Sequence, residues 1–150
     1  MERDTILESF KTHLIKYLSD TTLNYPIVVG SSYIRRGAVD VNFDVTPIIY
    51  IWEDIERTKW NNRNSKRELD IIVEAYVNPK QYVATYDSDS KCLNAFLKEI
   101  LDVVGRYNDS NPKNPFIETG NEVFYIVGDE SLIALQIKLT MMYVTTLTNN

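Results

Sequence analysis

Two long apolar rows of period two constrain the fold of this chain more than any other feature. In RELDIIVEAYV, the residues Leu69, Ile71, Val73, Ala75 and Val77 form an apolar row, with Glu68, Asp70, Glu74 and Asn78 pointing the other way. In SLIALQIKLTMMYVTT, the row is Ile133, Leu135, Ile137, Leu139, Met141 and Tyr143, against Gln136, Lys138 and Thr140. Successive side chains of a strand point to opposite faces, so a period of two at this length specifies strands with one face buried and the other wet. A third alternation, VDVNFDV, sets Val39, Val41, Phe43 and Val45 against Asp40, Asn42 and Asp44. An antiparallel sheet covered on one face accommodates all three.

Two segments supply the cover. From Asp4 to about Ser19, Leu7, Phe10, Leu14, Tyr17 and Leu18 recur at helical spacing, and Asp4 is a suitable N-cap. From about Lys91 to Arg106, Leu93, Phe96, Leu97, Ile100, Leu101 and Val104 form a wide stripe, preceded by the capping run Asp87-Ser88-Asp89-Ser90 and closed by Gly105 and NDSNPKNP. Further strands are read at Ile27-Val28-Val29, at IIYIWE after Pro47, and at EVFYIVG, which a tight GDE connection joins to the last strand. Between them DIERTKWNNRNSK has neither period and is rich in turn formers, which predicts a long hairpin loop from about Asp54 to Lys66. The expected fold is α+β: a mostly antiparallel sheet of four to five strands, two α-helices packed on one face, and a long β-hairpin loop. With 150 residues, no repeat and no linker, a single domain over 1–150 is expected.

Charge and cysteine content narrow the function. A net charge of -5 argues against bulk affinity for nucleic acid or anionic membrane, which need a positive surface. The single Cys92 leaves no internal disulfide and no multi-cysteine metal site, which fits a reducing compartment. The charges scattered through MERDTILESFKTHL do not fit a signal peptide, and no apolar run approaches a membrane span.

The residues that could carry chemistry are few. The only histidine, His13, sits on the first helix near Phe10 and Tyr17, where an aromatic-packed edge histidine is the ordinary reading. Cys92 starts the second helix, where a helix dipole can activate a thiol, although a buried apolar cysteine is commoner. Asp40 and Asp44 share one strand face and Asp70 and Glu74 another, so paired strands could assemble a divalent-metal site of the nuclease kind. Around Glu74, however, the chain reads EAY and lacks the lysine of the Glu-x-Lys pattern. Plain alternation accounts for these acids as the solvated face of a sheet. No glycine-rich phosphate loop is present, and no cofactor is expected. Arg57, Lys59, Arg63, Lys66 and Arg67 surround Trp60, giving an acidic chain one basic, aromatic loop suited to an interface.

The order of elements resembles the tail terminator, or tail completion, proteins of long-tailed bacteriophages and their neck-protein relatives. The resemblance runs from about Thr5 to Val144 through an N-terminal helix, TPIIYIWE, a polar loop, RELDIIVEAYV, the helix CLNAFLKEILDVV and the strand LIALQIKLTMMYV. It implies a non-enzymatic virion protein, made in the host cytoplasm, that forms a homo-oligomeric ring, commonly a hexamer. The ring would sit on the tail-tube protein, join it to the head connector and let genomic DNA pass without specific binding. A neck or head-completion protein is the related alternative, and a metal-dependent nuclease-like enzyme is the alternative of another class. On the ring reading, Arg57, Lys59, Trp60, Arg63, Lys66 and Arg67 would meet a neighbour or the tube, while Asp40, Asp44, Asp70 and Glu74 would face the lumen and repel DNA.

Overall fold

The two alternating segments lie side by side in the middle of one sheet. In the computed structural model the described residues are 3–19, 34–36, 48–61, 64–78, 80, 87–125 and 133–146. The elements run α1 (Arg3–Ser19), β1 (Ile34–Arg36), β2 (Ile48–Asn61), β3 (Asn64–Val77), α2 (Asp89–Ser110), β4 (Phe116–Tyr125) and β5 (Ile133–Thr146). The strands form a five-stranded sheet in the order β1-β2-β3-β5-β4. Only β1 runs parallel to its neighbour, and the other three pairs are antiparallel. The expected α+β class and mostly antiparallel sheet are therefore present.

Both apolar rows point toward the helices, and one core joins the three layers of side chains. Leu69, Ile71, Val73, Ala75 and Val77 of β3 and Ile133, Leu135, Ile137, Leu139, Met141 and Tyr143 of β5 pack with Ile6, Leu7, Phe10, Leu14 and Leu18 of α1. From α2 come Cys92, Leu93, Phe96, Ile100, Val103, Val104 and Tyr107. At its centre Phe10 meets Tyr107 edge-on at 5.4 Å and lies 4.8 Å from Phe116, a geometry aromatic quadrupoles favour. Burial pushes the Cys92 thiol up to about 11, with the charge of Asp89 adding to it, so this cysteine is an inert core residue.

The helix ends differ from the sequence reading in two places. α1 begins at Arg3, so Asp4 lies within the first turn, where its charge still favours the helix dipole. α2 does not close at Gly105. It continues to Ser110, because the following turn carries Tyr107 into the aromatic cluster and that burial outweighs the cost of an exposed glycine. The expected cap is present, with the Ser88 side chain accepting from the Lys91 amide at 3.2 Å.

The long loop expected over Asp54 to Lys66 is not there. β2 runs to Asn61 and β3 starts at Asn64, with Asn61 directly opposite Asn64. The alternation that would have betrayed this is broken by a β-bulge: Asp54 and Ile55 together oppose Asp70 between the Glu53–Ile71 and Glu56–Leu69 pairs. One inserted residue shifts the phase of every later side chain. Beyond the bulge the stabilising pairs are ionic, so hydrophobic periodicity has nothing to report. β4 also starts earlier than EVFYIVG, at Phe116, and it has its own bulge between Glu118 and Gly120. β1 is too short to show a period and is absent from the sequence reading. The strands expected at Ile27-Val28-Val29 and VDVNFDV, with Asp40 and Asp44, and the GDE connection lie outside the described residues.

Asn108 links α2 to the sheet. Its amide donates to the Phe116 carbonyl at 2.7 Å, and its carbonyl oxygen accepts from the Phe116 amide at 2.8 Å. It thus completes both backbone groups of a buried strand residue, as a neighbouring strand would. Asn108→Ala leaves those groups without this partner and is expected to cost about 1–3 kcal/mol, read from the midpoint of urea unfolding at unchanged slope.

Candidate functional site

The face of the sheet away from the helices carries the polar sets. Register places Arg57 opposite Glu68, Asp70 opposite Thr140, and Glu74 opposite Gln136. Alternation sends all six of these side chains to that far face, in two groups. In the first, the Arg57 guanidinium bridges two carboxylates, donating to Glu68 at 2.6 Å and to Asp70 at 2.8 Å. The Thr140 hydroxyl donates to the other oxygen of Asp70 at 2.7 Å. In the second, Glu74 accepts from the Tyr76 hydroxyl at 2.6 Å and from the Gln136 amide at 3.0 Å.

These contacts set the ionisation of the groups. Burial pushes the Asp70 carboxyl up, but the hydrogen bonds from Arg57 and Thr140 and the Arg57 charge outweigh it, and the net shift is downward. The same pairing with Asp70, followed by Glu68, holds the Arg57 guanidinium above its ordinary value. Tyr76 is raised by burial and by its bond to Glu74, so it stays a neutral donor.

Beside the first group lies an open concavity of about 600 Å³. Arg57, Glu68, Asp70 and Thr140 form one side of it, and Lys113, Pro115, Ile117, Thr119 and Met142 the other. Its size is in the range of small-ligand sites, and its apolar part comes from the start of β4 and the end of β5. Toward the other end of the same face Ile48, Tyr50, Tyr76 and Ala134 are buried as a small second cluster with Trp52 stacked on Tyr50.

Among the described side chains, two of the candidate interface residues lie on opposite faces of the sheet. Arg57 is on the far face, tied to Glu68 and Asp70, whereas Arg67 is on the helix side, 3.5 Å from Glu56. That Glu56 also accepts from Arg3 at 3.2 Å and from the Tyr143 hydroxyl, which ties the start of α1 to β2 and β5. Burial, helped by Glu56, pushes the Tyr143 phenol up to about 12. Lys66 is exposed, and Lys59 and Trp60 are strand residues whose backbones pair with Lys66 and Ser65. Arg63 lies outside the described residues.

Of the four acids read as one set, Asp70 and Glu74 do share the far face, each within its own hydrogen-bonded group. Among the described residues, no group of three or more His, Cys, Asp or Glu side chains is placed to hold a metal ion. His13 packs against Tyr17 and Tyr107, and its Nδ1 lies 3.1 Å from the Ser9 carbonyl, within hydrogen-bond reach. The concavity residues Lys113, Pro115, Ile117, Thr119 and Met142 were not singled out by the sequence. The only signal for them is that Ile117 and Met142 are large apolar residues out of phase with the buried rows.

No protein-family model matches this chain, and no curated protein is similar to it.

The Asp70 shift fixes a sign. Because the folded-state value lies below the ordinary one near 3.8, Asp70 adds stability at pH above about 4, and that contribution is lost as the pH falls through and below this value. Arg57→Gln removes the cause. Thermal melts from pH 7 down to pH 2 are expected to show the variant less stable than the parent at neutral pH and the two converging in acid.

Proposed function

We propose that the chain is a structural subunit of the head-proximal end of a phage tail, a tail terminator that assembles as a ring on the tail tube and offers a surface to the head connector. The observation that carries this reading is the three-stranded extension of the sheet beyond its helix cover. β2, β3 and β5 are each 14 residues long, roughly 45 Å when extended, whereas the 17 residues of α1 span about 25 Å and the 22 residues of α2 about 33 Å. Past the Thr58–Arg67 and Arg67–Tyr143 pairs, three more residue pairs join β2 to β3, with β5 alongside to Thr146. A stiff, paired projection of this kind suits an arm that reaches a neighbouring subunit or the tube, and its sequence, KWNNRNSK, supplies the basic and aromatic anchors of an interface.

The order of elements and the two helices on one sheet face agree with the resemblance drawn from the sequence. A head-to-tail contact between the arm of one subunit and the body of the next closes into a ring when the rotation between copies divides a full turn. In such a ring the far face, with Asp70 and Glu74, lines the lumen and keeps DNA from sticking.

The reading is tested by incubating the full chain with assembled tail-tube protein and imaging by negative stain. Rings capping one tube end and arrested tube growth are the expected result. Uncapped tubes, with no rings at any concentration, would overturn it. Trp60→Ala combined with Arg63→Ala is expected to abolish capping with little change in melting temperature, and full capping by that variant removes the arm from the account.

A further inference from the structure

Two exposed apolar features sit on opposite sides of the sheet. Ile117 at 62% and Met142 at 43% line the concavity where β4 begins and β5 ends, with Val144 beside them at the end of β5. Ile55, 49% exposed, stands in the bulge of β2. Val123 and Phe124, also exposed, belong to the second half of β4 and take no part here. Gathered apolar groups mark a contact surface, and a bulge is a device that re-aims a side chain out of its strand. The bulge lies past Ile49–Ile51, the residues of β2 that pair with β1.

The charges at the two features are matched to each other and to nothing else described. Around the concavity Arg57 is held by Glu68 and Asp70, Thr140 donates to Asp70, and Thr119 donates to the Lys138 carbonyl at 3.4 Å. The exposed Lys113 ammonium has no hydrogen bond or ion pair among the described residues. At the bulge the exposed Asp54 carboxylate likewise has none, whereas its neighbour Glu53 reaches Arg3 at 3.7 Å. One feature is an apolar recess beside an unmatched base. The other is an apolar knob beside an unmatched acid.

We propose that the Asp54–Ile55 bulge of one copy of the chain docks in the concavity of the next, with Ile55 against Pro115, Ile117 and Met142 and Asp54 facing Lys113. Asp70 does not oppose the incoming acid, because Arg57 and Thr140 already hold its charge. Knob and recess cannot meet within one chain: in the order β2-β3-β5-β4 their strands are three spacings apart, about 14 Å. They nevertheless share one level of the sheet. The bulge opposes Asp70, Asp70 pairs with Thr140, and Thr140 pairs with Ile117. The step from one copy to the next therefore runs across the strands and not along them. A head-to-tail contact repeated with no step along the axis closes on itself, whereas one with such a step winds into a filament.

This contact deepens the ring reading and rests on it, since it names the surfaces by which subunits meet.

Sedimentation velocity of the full chain over a wide concentration range tests it through two exposed substitutions. The parent is expected to associate beyond a dimer, and Ile55→Asp and Ile117→Asp are each expected to weaken that association by about 30-fold or more. Mixed together, the two variants are expected to form a one-to-one pair and nothing larger, because only the intact knob of Ile117→Asp and the intact recess of Ile55→Asp can engage. Lys113→Asp is expected to weaken association about tenfold, and adding Asp54→Lys to restore it. A parent that is monomeric throughout or stops at a dimer, a mixture that forms no pair, or a double charge reversal no better than Lys113→Asp alone would overturn the proposal. Circular dichroism confirms that each variant folds. Rings that cap a tube equally well when built from Ile55→Asp keep the ring reading and remove this contact, and a one-to-one pair from a chain that never caps a tube does the reverse.

Discussion

The register between β3 and β5 is the constraint on which the rest of the structure depends. Fourteen consecutive residue pairs run without a break from Asn64–Thr146 to Val77–Ile133. A slip of one residue would turn both apolar rows to solvent and both polar rows into the core, so the register is held by the whole hydrophobic energy of the two strands. Once it is fixed, the helix-side surface is a continuous apolar floor for α1 and α2. The far face is fixed by the same step, because Asp70 must then lie beside Thr140 and Glu74 beside Gln136.

The strands on either side of this pair meet a different requirement. β2 and β4 flank this rigid centre, and each absorbs one extra residue in a bulge. Bulges add twist and interrupt the row of unpaired backbone groups along an edge, which lowers the tendency of a sheet to grow by accretion. In β2 the bulge also separates two regimes of stabilisation. On one side of it Ile49 and Ile51 belong to the core, and on the other Arg57 is held by Glu68 and Asp70, and Glu56 by Arg3, Arg67 and Tyr143. The covered half of the sheet is held by burial, and the extension past the bulge by charge pairs across strands. Exposed pairs of that kind are individually weak, so the long continuous ladder of backbone hydrogen bonds matters more there than any one of them.

The polar groups of the far face are pre-formed by their neighbours. Asp70 has Arg57 and Thr140, and Glu74 has Tyr76 and Gln136. Each carboxylate is thereby kept charged and oriented, which suits a surface that presents a fixed pattern of charge to another macromolecule. The apolar residues at the concavity end of the same face, Ile117 and Met142 among them, lie outside the core and are exposed.

The sequence by itself determined the elements whose stability is apolar and local. The rows of β3 and β5, the stripes of both helices and the Ser88 cap were legible, because burial and capping leave a periodic or positional trace along the chain. Tertiary structure alone decided the remainder. The strand character of Glu56 to Asn61 was hidden because a bulge shifts the phase and ion pairs replace apolar contacts. The division of Arg57 and Arg67 between opposite faces follows from that same shift, so basic residues close in sequence need not share a face. The continuation of α2 through Gly105 was decided by Tyr107 and Asn108, which meet Phe10 and Phe116 only after folding. The concavity joins β2 and β3 to the turn before β4 and to β5, residues brought together by the β3–β5–β4 order of the sheet, and strand order has no signature in a linear pattern of polar and apolar residues.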